Sequence, residues 1–301
     1  MAVGLSPSPL SQALTQIATD IDDEFDQLLS LPGDARDPLY AAMRHAAIGG
    51  GKRLRPLLVT ATASLFHVDR EVALRVGTAV EAIHVYSLIH DDLPCMDDDD
   101  MRRGKPTVHR AFGEATAVLA GDSLHALAFE ILANPGTHAD PFVRSELIAT
   151  LALASGPEGM AGGQMMDLEA EKTTFDLPTV TRLQALKTGA LIAASVEMGA
   201  ILGHIPPEGR AHLKGYARDI GLAFQIADDI LDVEGDPELA GKALHKDADA
   251  GKGTFVSLMG LDRAKQQAAM LVSQANDHLG SYGSEADLLR AIANYITERD
   301  R

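Results

Sequence analysis

Residues 76–100 read VGTAVEAIHVYSLIHDDLPCMDDDD, a long apolar stretch followed by a cluster of aspartates. The stretch from Val76 to Ile89 is mostly apolar and of helical length, so we predict a helix that is buried in the core. The same three- and four-residue spacing of apolar residues recurs through most of the chain, and no run alternates with a period of two. The sequence therefore predicts an all-α protein of about ten helices.

The composition supports the same fold class. Hydrophobic residues make up 46% of the 301-residue chain, which is enough for a sizeable core. Aromatic residues are only 4% and tryptophan is absent, so the core must be built from Leu, Ala, Ile, Val and Met, most of which favour helices. No linker or low-complexity tract divides the chain, so we expect one domain over residues 1–301. The longest irregular stretch, residues 234–254, is predicted to be a functional or mobile loop.

Charge and special residues exclude several classes of protein. The formal net charge is −17, which argues against nucleic acid as a partner because phosphates require a basic surface. Cys95 is the single cysteine, so no intramolecular disulfide is possible and a reducing compartment is expected. The acidic start of the chain lacks the features of a secretory or transit signal. No stretch approaches about 20 uninterrupted apolar residues, so we expect no membrane-spanning helix and a cytoplasmic protein.

Residues 91–100 hold six aspartates, which repel one another unless cations neutralise them. An exposed acidic turn is the ordinary interpretation of such a run. Two features oppose it here, because the cluster follows a buried helix and Pro94 must break or kink that helix. Asp91 and Asp97 would lie roughly 120° apart on a straight helix. The irregular turn at Pro94 is therefore needed to bring both carboxylates to one ion.

A second acidic motif, Asp228-Asp229-Ile230-Leu231-Asp232, lies in another largely apolar segment, which argues against a solvated helix face. Asp228 and Asp232 are four residues apart and share one face of a helix, with Gln225 one turn earlier. Oxygen ligands without His or Cys select hard cations, and Mg²⁺ commonly binds a few carboxylates while it shares substrate phosphates. The two motifs together predict a magnesium-dependent enzyme.

Cations form a second group of candidates. The segment Gly49-Gly50-Gly51-Lys52-Arg53-Leu54-Arg55-Pro56 joins a glycine turn to a helix start. Glycines, backbone amides, a helix N-terminus and three cations describe an anion site, with an ordinary basic helix start as the alternative. His84 lies two helical turns before Asp91 on nearly the same stripe; without that alignment it would be taken for a core histidine. Arg102 and Arg103 follow the aspartates directly, where simple charge balance is the alternative.

A third set of candidates lies further along the chain. Lys187-Thr188-Gly189 falls inside a continuous helical pattern, where the glycine is able to open the helix and turn carbonyls and the threonine hydroxyl inward. A solvent-facing lysine is the alternative. Gln164 and Asp167 lie one helical turn apart. They are either part of the functional site or a polar pair within the core. In the long loop, the candidates for binding phosphate are Lys242, Lys246 and Lys252. The alternative is that these lysines serve only solubility.

These motifs resemble those of the trans-isoprenyl diphosphate synthases over residues 44–299, and most closely the bacterial farnesyl-producing members. The first aspartate motif carries the two-residue insertion Pro94-Cys95 that is typical of the bacterial and plant types. The resemblance implies a single helical bundle around a central cavity. It also implies a prenyltransferase that joins isopentenyl diphosphate to an allylic diphosphate, and a homodimer.

The resemblance further implies roles for individual residues. Asp91 and Asp97 would hold two Mg²⁺ ions and Asp228 a third, with Asp92, Asp229 and Asp232 orienting ligands or waters. The isopentenyl diphosphate site is matched by Lys52, Arg55, His84 and Arg103. The allylic diphosphate site is matched by Arg102, Lys187, Thr188, Gln225, Lys242 and Lys252. Of these, Lys187, Thr188 and Gln225 would also stabilise the allylic carbocation.

Two parts of the chain concern closure of the site. Residues 295–299 resemble a basic tail that closes over the substrate. The loop departs from the family pattern at His245 and at Gly253-Thr254-Phe255-Val256, where Ser/Ala-Thr-Tyr-Pro is commoner. We expect these departures to affect loop closure more than the chemistry.

Product length is predicted from the residues before the first aspartate motif. Tyr86 is five residues before Asp91 and Ser87 is four. One helical turn, ~5 Å, is comparable to one added isoprene unit, so a bulky side chain at this depth can act as a floor. An aromatic residue here resembles the farnesyl type, which implies a fifteen-carbon product, with geranylgeranyl diphosphate as the alternative. The alternative is that Tyr86 is simply a core aromatic residue whose hydroxyl forms a hydrogen bond.

Two other functional classes fit less well. A class I terpene cyclase is also helical, but cyclases usually replace the second aspartate motif and lack the Gly-Gly-Lys-Arg site. A non-catalytic subunit of a prenyl synthase typically loses the aspartates, and both motifs are intact here. A metal-buffering protein would not need the cations.

Overall fold

The computed structural model describes residues 8–234 and 253–298. Within these ranges the chain forms helices almost throughout, so the predicted all-α fold is confirmed. The α-helices are α1 Pro9–Leu28, α2 Asp37–Ala47, α3 Leu54–Ser64, α4 Arg70–Asp91, α5 Val108–Phe112, α6 Glu114–Ala133, α7 Pro141–Ser155, α8 Met160–Ala170, α9 Leu177–Gln184, α10 Ala190–Leu202, α11 Ala211–Glu234, α12 Phe255–Met259, α13 Leu261–His278 and α14 Asp287–Glu298. A π-helical turn, Ala185–Gly189, joins α9 to α10, and 3₁₀ turns occupy Pro207–Arg210 and Gly280–Ala286.

The contacts divide the chain into two compact units. Unit 1 comprises Met1–Thr60 and Asp69–Arg144, and unit 2 comprises Ala61–Val68 and Ser145–Arg301. The predicted single domain around a central cavity stays a prediction.

Unit 1 is built around α4. Asp69 caps its N-terminus by accepting a hydrogen bond from the Glu71 N–H at 2.8 Å. Most residues from Ala73 to Ile89 are buried, as predicted, and α4 packs against α6 and also contacts α1 and α2. Gly121 of α6 permits a close approach to α4, because a Cβ added there would lie 2.1 Å from Nε2 of His90. A larger residue at position 121 would therefore require the His90 ring to move.

A short β-hairpin follows α4 and was not predicted. Strand β1, Met101–Arg102, pairs antiparallel with β2, Lys105–Pro106. The two loop residues Arg103 and Gly104 have φ angles of +52° and +75°, as in the mirror-image turns that match the twist of paired strands. Arginine rarely adopts such an angle, so the sequence carried no ordinary hairpin signal.

Unit 2 is built around α11, which packs against α10, α13 and α14. Tyr216 of α11 is fully buried and donates a hydrogen bond to the Leu289 carbonyl of α14 at 2.8 Å. A Cβ on Gly215 would lie 2.4 Å from the His278 ring, so a larger residue there would require that ring to move. Residues 295–298, predicted as part of a closing tail, lie in α14, and Ile296 is buried.

The prediction about membrane-spanning segments needs a correction. By length and composition alone, α4, α6 and the continuous run Leu177–Leu202 are apolar enough to cross a membrane. The sequence argument required an uninterrupted apolar run, whereas such helices tolerate a few polar residues. In α4 the apolar residues pack inside unit 1, as expected of a core helix.

Candidate active site

The first aspartate motif is a compact turn at the end of α4. The Asp97 N–H donates to the Asp91 carbonyl at 2.8 Å, and the Asp98 N–H donates to the Leu93 carbonyl at 3.2 Å. Asp98 has a φ of +49°, which helps to reverse the chain after Pro94. The irregular turn thus brings the backbones of Asp91 and Asp97 together, as the sequence required. Their metal role stays a prediction.

Three of the clustered aspartates, Asp92, Asp99 and Asp100, lie within ion-pair distance of an arginine. Arg102 Nε donates to both carboxylate oxygens of Asp92, at 2.8 and 3.0 Å, and its Nη2 lies 2.7 Å from Oδ1. Burial raises the pKa of Asp92, an effect that the Arg102 guanidinium opposes. Asp100 pairs with Arg110 in the same way, but on the surface. Charge balance therefore accounts for part of the acidic run, and Arg102 is engaged by protein.

The glycine-rich segment between α2 and α3 forms a tight loop, residues 48–53. Gly49 and Gly51 have φ angles of +76° and +87°, which explains the need for glycine. Arg103 lies across this loop, since a Cβ on Gly51 would be 2.7 Å from Arg103 Nη2. Lys105 Nζ donates to the Ile48 carbonyl at 3.1 Å. The hairpin thus adds the cations Arg103 and Lys105 to the loop, and positive charge of this kind suits an anion.

The three cations Lys52, Arg53 and Arg55 do not share one role. This corrects the sequence prediction, which grouped them in one anion site. Arg53 turns inward and its side chain has no exposed surface. It donates to Glu81 Oε1 at 2.8 Å and to Asp22 Oδ1 at 2.7 Å. Only Lys52 and Arg55 remain candidates for binding a substrate anion.

His84 lies among the cations of unit 1. Burial lowers its pKa well below 6.5, and Arg55 and Arg103 are the next largest causes. The imidazole is therefore neutral at pH 7 and suited to hydrogen bonding. The structure brings Arg55, His84 and Arg103 together as predicted. Lys52 differs, because it lines a surface groove along α1 with Leu14, Thr15, Ala18, Thr19 and Asp22.

Tyr86 lies on α4 and contacts His125 of α6; its role as a floor stays a prediction. Its ring meets the His125 ring edge to face, with centroids 5.0 Å apart, and the His90 ring at 5.7 Å. Burial raises the pKa of Tyr86, with a further contribution from Asp91. Ser87 Oγ donates to the His84 carbonyl at 2.9 Å, so its hydroxyl is satisfied within α4. Of the two residues, Tyr86 is the one that presents bulk toward a neighbouring helix.

The second aspartate motif lies near the end of α11 in unit 2. Asp228 and Asp232 are partly buried on one helical face, as predicted. Asp229 is buried and accepts a hydrogen bond from the Phe255 N–H at 2.6 Å. Asp229 thereby fixes the start of α12, whose N-cap Thr254 forms a reciprocal capping box with Ser257. The departure from the family pattern at residues 253–256 is compatible with an ordered, capped helix.

The predicted helix opening at Lys187-Thr188-Gly189 takes the form of the π-helical turn. Turns of this kind occur often at functional sites. Lys187 Nζ binds Asp167 Oδ2 at 2.8 Å, so the sequence pairing of Gln164 with Asp167 is replaced by an ion pair. A Cβ on Gly163 would lie 2.2 Å from the Lys187 backbone nitrogen, and one on Gly221 would lie 3.3 Å from Gly189 Cα. These glycines press α8 and α11 against the turn.

Gln225 follows Gly221 by one turn of α11 and is buried. Because Gly221 contacts the π turn at Gly189, Gln225 belongs to the same part of unit 2 as Lys187 and Thr188. The predicted phosphate-binding residues Lys242, Lys246 and Lys252, the departure at His245 and the terminal Arg299 lie outside the described residues.

Three acidic residues support the site, and the sequence did not predict their partners. Asp22, Glu81 and Asp167 each hold a cation in place. Glu81 carried a signal, since it is the one acid inside the apolar stretch 76–89. Asp22 carried none, because it is one of several acids near the start of the chain. Asp167 was a candidate through its spacing from Gln164, but its pairing with Lys187 was not predicted.

The donor set of the two motifs fits a hard cation. Within the described ranges, no three His, Cys, Asp or Glu residues form a ready-made metal site. Mg²⁺ often binds only one or two carboxylates and takes its remaining ligands from water and phosphate oxygens. The oxygen-only motifs at Asp91–Asp97 and Asp228–Asp232 are consistent with that mode.

The fold and site define a class: a helical protein with two carboxylate motifs and an arginine-lined anion loop. Residues 36–294 match the family model described as polyprenyl synthetase. The chain is 45% identical over 269 residues to "Farnesyl diphosphate synthase" of Escherichia coli, covering 88% of this chain and 90% of that one. The chain belongs to the polyprenyl synthetase family and is a prenyltransferase.

Solved structures agree with this membership. An FPP/GFPP synthase from Zymomonas mobilis is 60% identical, with a TM-score of 0.88 over 96% of this chain and 98% of that chain. A geranyltransferase from Helicobacter pylori, complexed with magnesium and isoprenyl diphosphate, is 33% identical, with a TM-score of 0.82 over 98% of this chain and 100% of that chain.

The contact at Gly163 generates a testable prediction. Gly163→Ala should force α8 away from the π turn, destabilise the protein by about 1–3 kcal/mol and lower turnover with the allylic substrate. Gly280→Ala is the matched control, because an added Cβ there meets nothing within 4 Å. Urea unfolding and steady-state kinetics check both variants. Unchanged stability and turnover in Gly163→Ala would show that this contact relaxes freely.

Proposed function

We propose that this prenyltransferase is a farnesyl diphosphate synthase, which condenses isopentenyl diphosphate with dimethylallyl diphosphate and then with geranyl diphosphate. The observation that supports the proposal is that two consecutive arginines, Arg102 and Arg103, contact different parts of unit 1. Arg102 binds the aspartate turn through Asp92, whereas Arg103 lies over the glycine loop. A metal motif and an anion site are thereby joined within unit 1. The name of the E. coli relative supports the same reaction.

The glycine loop is proposed to hold isopentenyl diphosphate. Arg55 and Arg103 would form charge-assisted hydrogen bonds to its phosphate oxygens, with Lys52 adding charge from the loop. Neutral His84 would contribute a hydrogen bond. Since these groups sit on backbone held by α2, α3 and α4, little ordering is needed on binding.

The allylic diphosphate is proposed to use the other carboxylate and cation sets. Asp91, Asp97 and Asp228 would hold Mg²⁺, expected as three ions; when bound, Mg²⁺ neutralises the diphosphate and makes it a better leaving group. The magnesium-complexed H. pylori protein supports this cofactor. Arg102 and Lys187 would add positive charge, together with Lys242 and Lys252, which lie outside the described residues. Asp167 would keep the Lys187 ammonium directed into the site.

The reaction then requires stabilisation of a carbocation. The allylic C–O bond breaks, leaving a diphosphate and an allylic cation. The Thr188 hydroxyl, the Lys187 carbonyl and Gln225 would present negative dipole ends to that cation. The double bond of isopentenyl diphosphate attacks it to form the new C–C bond, and the released diphosphate takes the proton lost from the product. Exclusion of water favours this outcome over hydrolysis.

Metal dependence and product identity test the proposal directly. Incubation with labelled isopentenyl diphosphate and dimethylallyl or geranyl diphosphate should yield farnesyl diphosphate, and chelation of divalent ions should abolish turnover until Mg²⁺ is restored. Asp91→Asn and Asp228→Asn should each lower kcat by roughly 100-fold or more, because a metal-binding charge is lost. Asp100→Asn is the control, since Asp100 pairs with Arg110 on the surface.

Each rival function predicts a different result in the same assay. Turnover in excess chelator would contradict the metal mechanism. A cyclic hydrocarbon as the main product would indicate a terpene cyclase, and a lack of any product would indicate a non-catalytic subunit. A wild-type product longer than fifteen carbons would overturn the farnesyl assignment in favour of a geranylgeranyl or longer-chain synthase.

Product length is proposed to depend on Tyr86. Tyr86→Ala should deepen the space beside α4 and shift the product from fifteen toward twenty carbons, because additional apolar length can then be buried. Tyr40→Ala, another half-buried tyrosine of unit 1, is the matched control and should leave the product unchanged. Chromatography of the dephosphorylated products checks both. If a folded, active Tyr86→Ala enzyme still makes only the fifteen-carbon product, the floor lies elsewhere.

A homodimer is proposed on the basis of an exposed stripe on α6. Val118 and Leu119 are 41% and 56% exposed, and the neighbouring positions Ala115 and Ala126 are exposed as well. An apolar face of this kind commonly covers a second subunit. Leu119→Glu should convert the dimer to a monomer in sedimentation velocity, whereas Met270→Glu on α13 should not. A wild-type monomer at micromolar concentration would refute the proposal.

A cytoplasmic location is also proposed. It is supported by the single cysteine, which suits a reducing compartment. Recovery of the protein in the membrane fraction of disrupted cells would oppose it.

A further inference from the structure

Asp22 contacts the glycine loop from α1, a helix that precedes the residues matched by the family model. Its Oδ2 accepts the Gly49 N–H at 3.0 Å, and its Oδ1 accepts Arg53 Nη2 at 2.7 Å. One carboxylate therefore holds both ends of the segment 49–53.

Arg53 is the centre of this arrangement. Its guanidinium donates to Glu81 of α4 at 2.8 Å, to Asp22 of α1 at 2.7 Å and to the Ala47 carbonyl at the end of α2. Its backbone has a φ of +50°, which a non-glycine residue adopts only when its surroundings impose it. Three helices thus fix one strained residue between Lys52 and Arg55.

The side chain of Arg53 takes no direct part in binding a substrate, because it has no exposed surface. Its charge is balanced by two carboxylates, and that of Glu81 is buried with it. A buried ion pair of this kind contributes little to the net free energy of folding, and its main effect is to fix one backbone conformation. The loop would otherwise be free to change shape, since Gly49, Gly50 and Gly51 restrict the chain little.

We propose that Asp22 and Arg53 are positioning residues that hold residues 49–53 in the one conformation in which Lys52 and Arg55 present their charges to isopentenyl diphosphate. This proposal rests on the function proposed above for the loop. It assigns α1 a part in substrate binding, although no residue of α1 is a candidate ligand. Loss of either residue should weaken the anchoring of that substrate without altering the allylic site.

Asp22→Asn and Arg53→Lys test the proposal. An Asn side chain has one acceptor oxygen and no charge, so it cannot hold Gly49 and Arg53 as the carboxylate does. A lysine keeps the charge but cannot bridge Asp22, Glu81 and Ala47 with its single ammonium. In both variants we expect the KM for isopentenyl diphosphate to rise roughly 10-fold or more, with the KM for geranyl diphosphate nearly unchanged. Asp22→Glu should recover part of the loss.

Two control variants and a stability measurement separate positioning from general stability. Asp20→Asn changes a nearby acid of α1 that pairs with Arg70 instead of the loop. Arg210→Lys changes a buried arginine of unit 2 that pairs with Glu146 and Glu197. Urea unfolding monitors stability in every variant, and we expect Arg210→Lys to lower stability without a selective change in either KM. If Arg53→Lys fails to fold, Asp22→Asn still decides, because Asp22 is partly exposed.

Arg55→Ala distinguishes failure of this proposal from failure of the proposed function. If Arg55→Ala raises the KM for isopentenyl diphosphate and Asp22→Asn leaves it unchanged, the positioning role is wrong and the function stands. If Arg55→Ala has no effect on that KM, the loop does not bind the substrate, and both proposals fail. Equal increases in both KM values with Asp22→Asn would likewise overturn the positioning role.

Discussion

The ion pair between Asp92 and Arg102 is the contact on which the geometry of unit 1 depends. An apolar helix, α4, ends in carboxylates, where the helix dipole and the neighbouring acids both disfavour further negative charge. Arg102 relieves that repulsion by a two-oxygen contact with Asp92. The contact draws the hairpin back onto the end of α4, and the hairpin turn then directs Arg103 across the glycine loop. One pairing thereby aligns a candidate metal motif with a candidate anion site.

The distribution of charge, more than its sum, explains how so acidic a chain can serve anionic substrates. The net charge of −17 is unfavourable for phosphate binding at long range. At short range, the loop 48–53 and the hairpin combine backbone amides with Arg55 and Arg103. Burial lowers the pKa of His84, the cations lower it further, and the imidazole is therefore neutral. Buried Glu81 holds a structural arginine, Arg53, inside the protein.

In unit 2 the main constraint is that a helix opens at a π turn within a packed core. A π turn disturbs the regular hydrogen bonding of the run Leu177–Leu202, which would be costly without support. Gly163 and Gly221 supply that support by allowing α8 and α11 to contact the turn closely. Lys187 is then fixed by Asp167. The site is therefore a local irregularity that close packing stabilises.

The sequence by itself determined the helical fold, the two aspartate motifs, the glycine loop and the site of helix opening, because each depends on local spacing or on a single glycine or proline. Tertiary structure decided which charged groups face the substrate and which face each other. Arg53, Asp22 and Glu81 are 28 or more residues apart along the chain, as the contacts Arg53–Glu81 and Arg53–Asp22 show. Arg102 and Arg103 are adjacent and identical, yet Arg102 binds the Asp92 carboxylate and Arg103 lies over the glycine loop. Local pattern cannot distinguish them, because a charged side chain finds its partner only after the helices have packed.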